Sequence, residues 1–61
     1  MTIKDYTQSF VSSTNIYLRR ELTFTVEDLF KGTLHELRKM TLINLEPKHF
    51  CIEEDTLIIT V

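Results

Sequence analysis

The chain has one glycine, one proline and one cysteine, its apolar runs are short, and its charges nearly cancel. A single cysteine, Cys51, rules out an internal disulfide. Zinc takes about four ligands, and the available donors, Cys51, His35, His49 and carboxylates, lack the paired spacing of metal-binding motifs. No apolar run approaches the roughly 20 residues needed to span a bilayer, so no membrane partner is expected. The N-terminus, MTIKDYTQSF, lacks the charged and then hydrophobic order of a secretory signal. The lone cysteine fits a reduced, cytoplasmic setting. The chain begins with Met and has no low-complexity tract, as expected of a complete small gene product.

Nine acidic against seven basic side chains leave a net charge of −2. That imbalance is too small to draw nucleic acid over long range or to mimic it. There is no phosphate loop, no glycine-rich fingerprint, and no carboxylate pair whose spacing demands acid–base work. The chain is therefore expected not to be an enzyme and to need no cofactor.

Against these absences stand an apolar fraction of 43%, two tyrosines and four phenylalanines, enough for a real core in one small domain spanning residues 1–61. A chain this short buries only about 60% of the surface its unfolded form exposes. With no disulfide and no evident metal site, dense packing or self-association is left to compensate, and a homo-oligomer is expected.

Thr2–Ser12 alternates loosely and reads as an edge strand, with a short helix as the alternative because Ile3, Tyr6 and Phe10 also fit helical spacing. Ser12–Asn15 is a turn signal. Ile16–Thr25 is a strand, with Ile16, Leu18, Leu22 and Phe24 on one face and Tyr17, Arg19, Glu21, Thr23 and Thr25 on the other. Thr25 then reads as the N-cap of a helix to Met40, with Asp28 completing a capping box and Phe24 and Leu29 forming a staple. Val26, Leu29, Phe30, Leu34, Leu37 and Met40 form its apolar stripe. TLINLE, from Thr41, reads as a short strand or packed connector, and Pro47 extends Glu46. HFCIE and TLIITV are strands; the Glu53–Asp55 turn between them has no Gly or Asn, which predicts a loop longer than a tight hairpin. The last strand is apolar on both faces, which predicts a central position or a covering partner chain. The expected fold is α+β: a small antiparallel sheet with one amphipathic helix packed on one face, in the order ββαββ.

Four residues stand out as binding candidates. Gly32 keeps the helical phase and falls on the polar side with Asp28, His35, Glu36 and Lys39, so it is either an idle exposed glycine or a notch approached by another chain. Arg20 interrupts the apolar face of its strand and needs a carboxylate, a path past the sheet edge, a bulge, or a partner. Tyr17 and Arg19 lie on the opposite face; joined by Tyr6 and Phe10 they would make an aromatic and basic platform of the sort that holds single-stranded nucleic acid. Glu21 and the negative net charge favour a solvated or dimer-forming face instead. Cys51 within FCI reads as a buried, inert thiol, and Glu53, Glu54 and Asp55 as a solvated loop. The function expected is a protein-binding module that regulates or inhibits a larger macromolecule, like accessory proteins of phages and mobile elements. Its protein partner is unidentified, and nucleic acid is the less favoured alternative.

Overall fold

A computed structural model describes all 61 residues. The order is α1 (Ile3–Tyr6), β1 (Asn15–Glu21), β2 (Val26–Thr33), α2 (Leu34–Leu37), a 3-10 turn (Thr41–Asn44), β3 (His49–Glu53) and β4 (Thr56–Thr60). The four strands form one sheet in the order β2-β1-β4-β3. Two antiparallel hairpins, β1–β2 and β3–β4, meet through a parallel pairing of β1 with β4. Class α+β holds. The wholly antiparallel ββαββ arrangement with one long helix does not: the sheet is mixed and its two helices are short.

Period-two alternation places Ile16 and Leu18 of β1 beside Leu57 and Ile59 of β4, all buried on one face. Ile3, Leu34, Leu37 and Ile43 complete the core, so the helical segments cover that face. The path from β2 to β3 joins opposite edges of the sheet, which is why α2 and the 3-10 turn cross its covered side. The other face carries no helix. β4 is central, as its two apolar faces predict.

The N-terminal segment is the helix that was the alternative to a strand. Thr2 and Asp5 form a full capping box, and the Thr7 hydroxyl donates to the Ile3 carbonyl at 2.8 Å. These local bonds compete with any strand. Tyr6 then stacks on Phe50 of β3, ring centroids 3.5 Å apart.

The larger correction concerns Val26–Met40. Val26–Thr33 is a strand, and the helix is reduced to Leu34–Leu37. A β-bulge explains the misreading. Leu18 pairs with Phe30 but Arg19 pairs with Asp28, which leaves Leu29 as an extra residue. The bulge breaks the alternation of β2 and sets Leu29 and Phe30 side by side, which imitates helical spacing. Seven cross-strand pairings to β1 outweigh the local preference. Thr25 caps no helix and Phe24 staples nothing. β1 itself stops at Glu21, so Leu22 and Phe24 never join the buried face; they sit in a four-residue loop closed by Leu22 N–H donating to the Thr25 carbonyl at 2.8 Å.

The second hairpin turn is also tighter than expected. Glu53 pairs with Thr56 across a two-residue turn, with Glu54 at φ 46° and Asp55 at φ 63°. Two consecutive left-handed residues define the primed hairpin turn, whose twist suits the flanking strands. Asp tolerates that region and Glu does so at a cost, so this pairing overrides the local preference. Thr41–Leu45 is the packed connector, with Ile43 buried. No helix is long and apolar enough to cross a membrane.

Candidate functional site

The register assembles the uncovered face row by row. Lys31 of β2, Tyr17 of β1, Ile58 of β4 and Cys51 of β3 are successive neighbours across the sheet. The next row is Asp28, Arg19, Thr60 and His49. Tyr17 is the hub. Its hydroxyl donates to the Asp28 carboxylate, the Lys31 ammonium lies 4.9 Å from its ring centroid, and the Arg19 guanidinium lies 5.9 Å from it. Lys31 also approaches Asp28 at 3.6 Å, and Arg19 Nε donates to Thr60 Oγ1 at 2.9 Å.

These contacts set the electrostatics. The hydrogen bond to Asp28, helped by desolvation and by the carboxylate charge, raises the Tyr17 phenol above its ordinary value of 10.0. The same bond, with Lys31, holds the Asp28 carboxyl below its ordinary 3.8. The two rows thus bring together two cations, one anion and a half-buried aromatic ring.

A second feature lies at the end of the same hairpin. Phe24 is 98% exposed, and Leu22 and Val26 beside it are 44% and 43% exposed. Nothing in the fold covers this tip.

Of the sequence candidates, Tyr17 and Arg19 come together on the open face. Tyr6 and Phe10 do not join them; they lie against the core on the covered side, tilted together with centroids 5.6 Å apart. The expected aromatic platform therefore shrinks to one ring. Arg20 points away from Tyr17 and Arg19 and meets Glu27, its cross-strand partner, at 3.9 Å, beside the bulge and half in solvent. Such a surface pair contributes about 0–1 kcal/mol.

Gly32 is not on a helix. It sits opposite Ile16, facing the covered side, and a Cβ there would lie 3.0 Å from the ring of Phe30. Phe30 thus covers an edge-strand glycine, a contact within this chain. Cys51 is exposed rather than buried, because β3 is an edge strand and its outer face is bare. His49 shares that face, but no cluster of three or more metal-ligating side chains forms anywhere in the structure.

Lys31, Ile58 and Phe24 were missed. Lys31 was hidden by the helical reading of β2. The signal for Phe24 was Arg20: a guanidinium on the covered side marks where the core ends, so the apolar residues beyond it project past the sheet. No family model matches the chain, and neither a curated protein nor a solved structure is significantly similar to it.

Proposed function

We propose that this chain is a non-enzymatic protein-binding module that regulates or inhibits a larger macromolecule, in the manner of phage or mobile-element accessory proteins. In this reading it works in the cytoplasm, associates with itself, and enters its partner with the β1–β2 hairpin tip. The observation that supports the reading is Phe24, 98% exposed between two half-exposed aliphatic residues. Folding gains nothing from a phenylalanine there. Burying it in a partner's pocket is worth about 1.5–3 kcal/mol, the size of an interface hot spot. The bulge and the charges of β2 hold the tip out in water without inviting strand pairing.

The test compares wild type with Phe24→Ser. The variant keeps its circular dichroism and melting temperature, since the residue touches no core. A protein captured from the native host by wild type is purified, recombined with both forms, and titrated. Weakening of about tenfold or more for Phe24→Ser is the expected outcome; equal affinity for both forms sinks the reading.

Lys31 and Arg19 on either side of Tyr17 favour the alternative of nucleic-acid binding at the open face. It requires affinity that falls steeply with salt and drops on Tyr17→Ala and Arg19→Ala. The Asp28 carboxylate among these groups makes it the weaker reading.

A further inference from the structure

We propose that the free edge of β3 is the site where a second copy of this chain binds, antiparallel and centred on Cys51, joining two four-stranded sheets into one. This inference rests on the self-association in the reading above, and is independent of the hairpin tip.

The sheet has two edges, and they are built differently. β2 carries the bulge at Leu29 and the charged residues Glu27, Asp28 and Lys31, devices that keep an edge from pairing. β3 has no bulge between His49 and Glu53, no proline within it and no lysine, and its Ile52 is 68% exposed.

Backbone parity fixes the register. The Glu54–Asp55 turn is closed by hydrogen bonding between Glu53 and Thr56. Bonding alternates along an antiparallel pair, so Glu53, Cys51 and His49 turn their backbone groups toward β4. Phe50 and Ile52 turn theirs outward, and no loop or cap engages them. An antiparallel copy must match outward residues with outward residues. Placing Phe50 opposite the partner's Ile52, and Ile52 opposite the partner's Phe50, uses all four free N–H and C=O groups. A shift by two residues either way keeps only Phe50 against itself or Ile52 against itself.

The side chains select the same register. Cys51 faces the partner's Cys51 on the axis. Exposed Ile52 packs beside the partner's Phe50, whose other neighbour is the ring of Tyr6. His49 falls opposite the partner's Glu53, a pairing that occurs twice by symmetry. The strand begins Lys48-His49 and ends Glu53-Glu54-Asp55, basic at one end and acidic at the other. Antiparallel copies align opposite charges, and parallel copies would align like charges. The acidic turn thereby acquires a counterpart that the single chain does not give it.

Cys51 makes the register measurable. Residues facing each other at a non-hydrogen-bonded position have Cα atoms about 4.5 Å apart, within the range of roughly 4.4–6.8 Å that a disulfide spans. Purified chain is analysed by sedimentation and treated with copper(II)–phenanthroline, which takes two electrons from two Cys51 thiols as they lose their protons and join. The expected result is a dimer that converts almost completely to a disulfide-linked form.

Ile52→Lys, a change at an exposed position, weakens the dimer about tenfold or more and slows the cross-link equally. Glu53→Lys weakens it too, and adding His49→Glu restores it. Phe24→Ser leaves the dimer intact, so loss of partner binding and loss of the dimer separate. A chain that stays monomeric to about 1 mM, or a dimer that survives Ile52→Lys without forming the Cys51 disulfide, overturns the proposal.

Discussion

The β1–β2 hairpin turns through four residues, Leu22–Thr25, and leaves a phenylalanine in water. The β3–β4 hairpin turns through two, Glu54 and Asp55, both charged and both in the left-handed region. Each hairpin contributes one buried central strand and one exposed edge strand. The inner strands β1 and β4 are alike, each sending an isoleucine and a leucine into the same core. The tips and edges are not. One hairpin has a guarded edge and an apolar tip, the other an unguarded edge and a solvated tip. Folding needs neither difference, since both hairpins bury equivalent central strands. The two outer ends of the sheet therefore differ in what they expose, one an apolar side chain and the other an unbulged strand edge.

The equivalence of the central strands can be broken directly. Leu18 and Ile59 are register partners across the parallel join, and both are 0% exposed. Leu18→Ala and Ile59→Ala each cost about 2–5 kcal/mol, against about 3–9 kcal/mol in total for a chain of this size. Either one removes a large share of that stability, and urea titration is expected to give similar losses for the two. A large asymmetry would show that one hairpin carries the core.

Arg38 comes next in size. It donates to the Ser12 hydroxyl at 3.1 Å and to the Thr7 and Phe10 carbonyls at 3.3 and 3.0 Å, tying the N-terminal turns to α2. Arg38→Ala is expected to cost about 1–2 kcal/mol. Hydrogen exchange should locate that loss at residues before β1, with the β3–β4 hairpin keeping its protection.

The tight turn can be sharpened. Replacing Glu54 and Asp55 by Asn and Gly puts permissive residues at both left-handed positions and is expected to stabilise by about 1 kcal/mol. The same pair inserted at Thr23 and Phe24, where the loop has four residues, gains nothing. Paired melting curves decide this.

The smallest effect concerns Tyr17 and Asp28. Tyr17 has a raised folded value, so its contribution is present below pH 10 and is lost as pH climbs through that value. Asp28 has a depressed one, so its contribution is present above about pH 4 and is lost as pH falls through the folded value. Their bond is expected to be intact between these limits. Phenolate absorbance should show one tyrosine titrating late, and Asp28→Asn should bring it back toward 10.0.

The two hairpins differ in how legible they are in the sequence. β3 and β4 were readable because they are short, unbulged runs rich in Ile, Thr and Phe, and the central place of β4 followed from apolar residues on both its sides. β1 was readable to Glu21 and then overextended, since alternation continues through Leu22 and Phe24 although the core has ended. β2 was unreadable as a strand because a single inserted residue, Leu29, destroys period two and counterfeits a helical stripe. At the open face, Tyr17 and Arg19 were correctly placed together from one strand's alternation. Lys31 and Asp28 depend on the pairing of two strands, which no local pattern contains. Cys51 was misplaced because burial of an edge strand is a property of the whole sheet.

The parallel join of β1 to β4 bears on the order of events in time. Each hairpin closes a short loop and can form within about 1–10 μs. The join brings together Arg19 and Thr60, 41 residues apart. With both hairpins formed, the connection left to close runs from Thr33 to His49, at an entropic penalty of about 2 kcal/mol before contacts across the join offset it. Non-local pairing of this kind is slow, so the expected order is hairpins first and the join afterwards. Refolding should then slow for variants of Phe30, whose hairpin contacts are made before the join, as well as for variants of Ile16 or Leu57, as stopped-flow fluorescence of the tyrosines can show. In that interval Ile16, Leu18, Leu57 and Ile59 face water on two separate hairpins. The period of greatest exposure to the wrong neighbour falls just before the strands reach the right one.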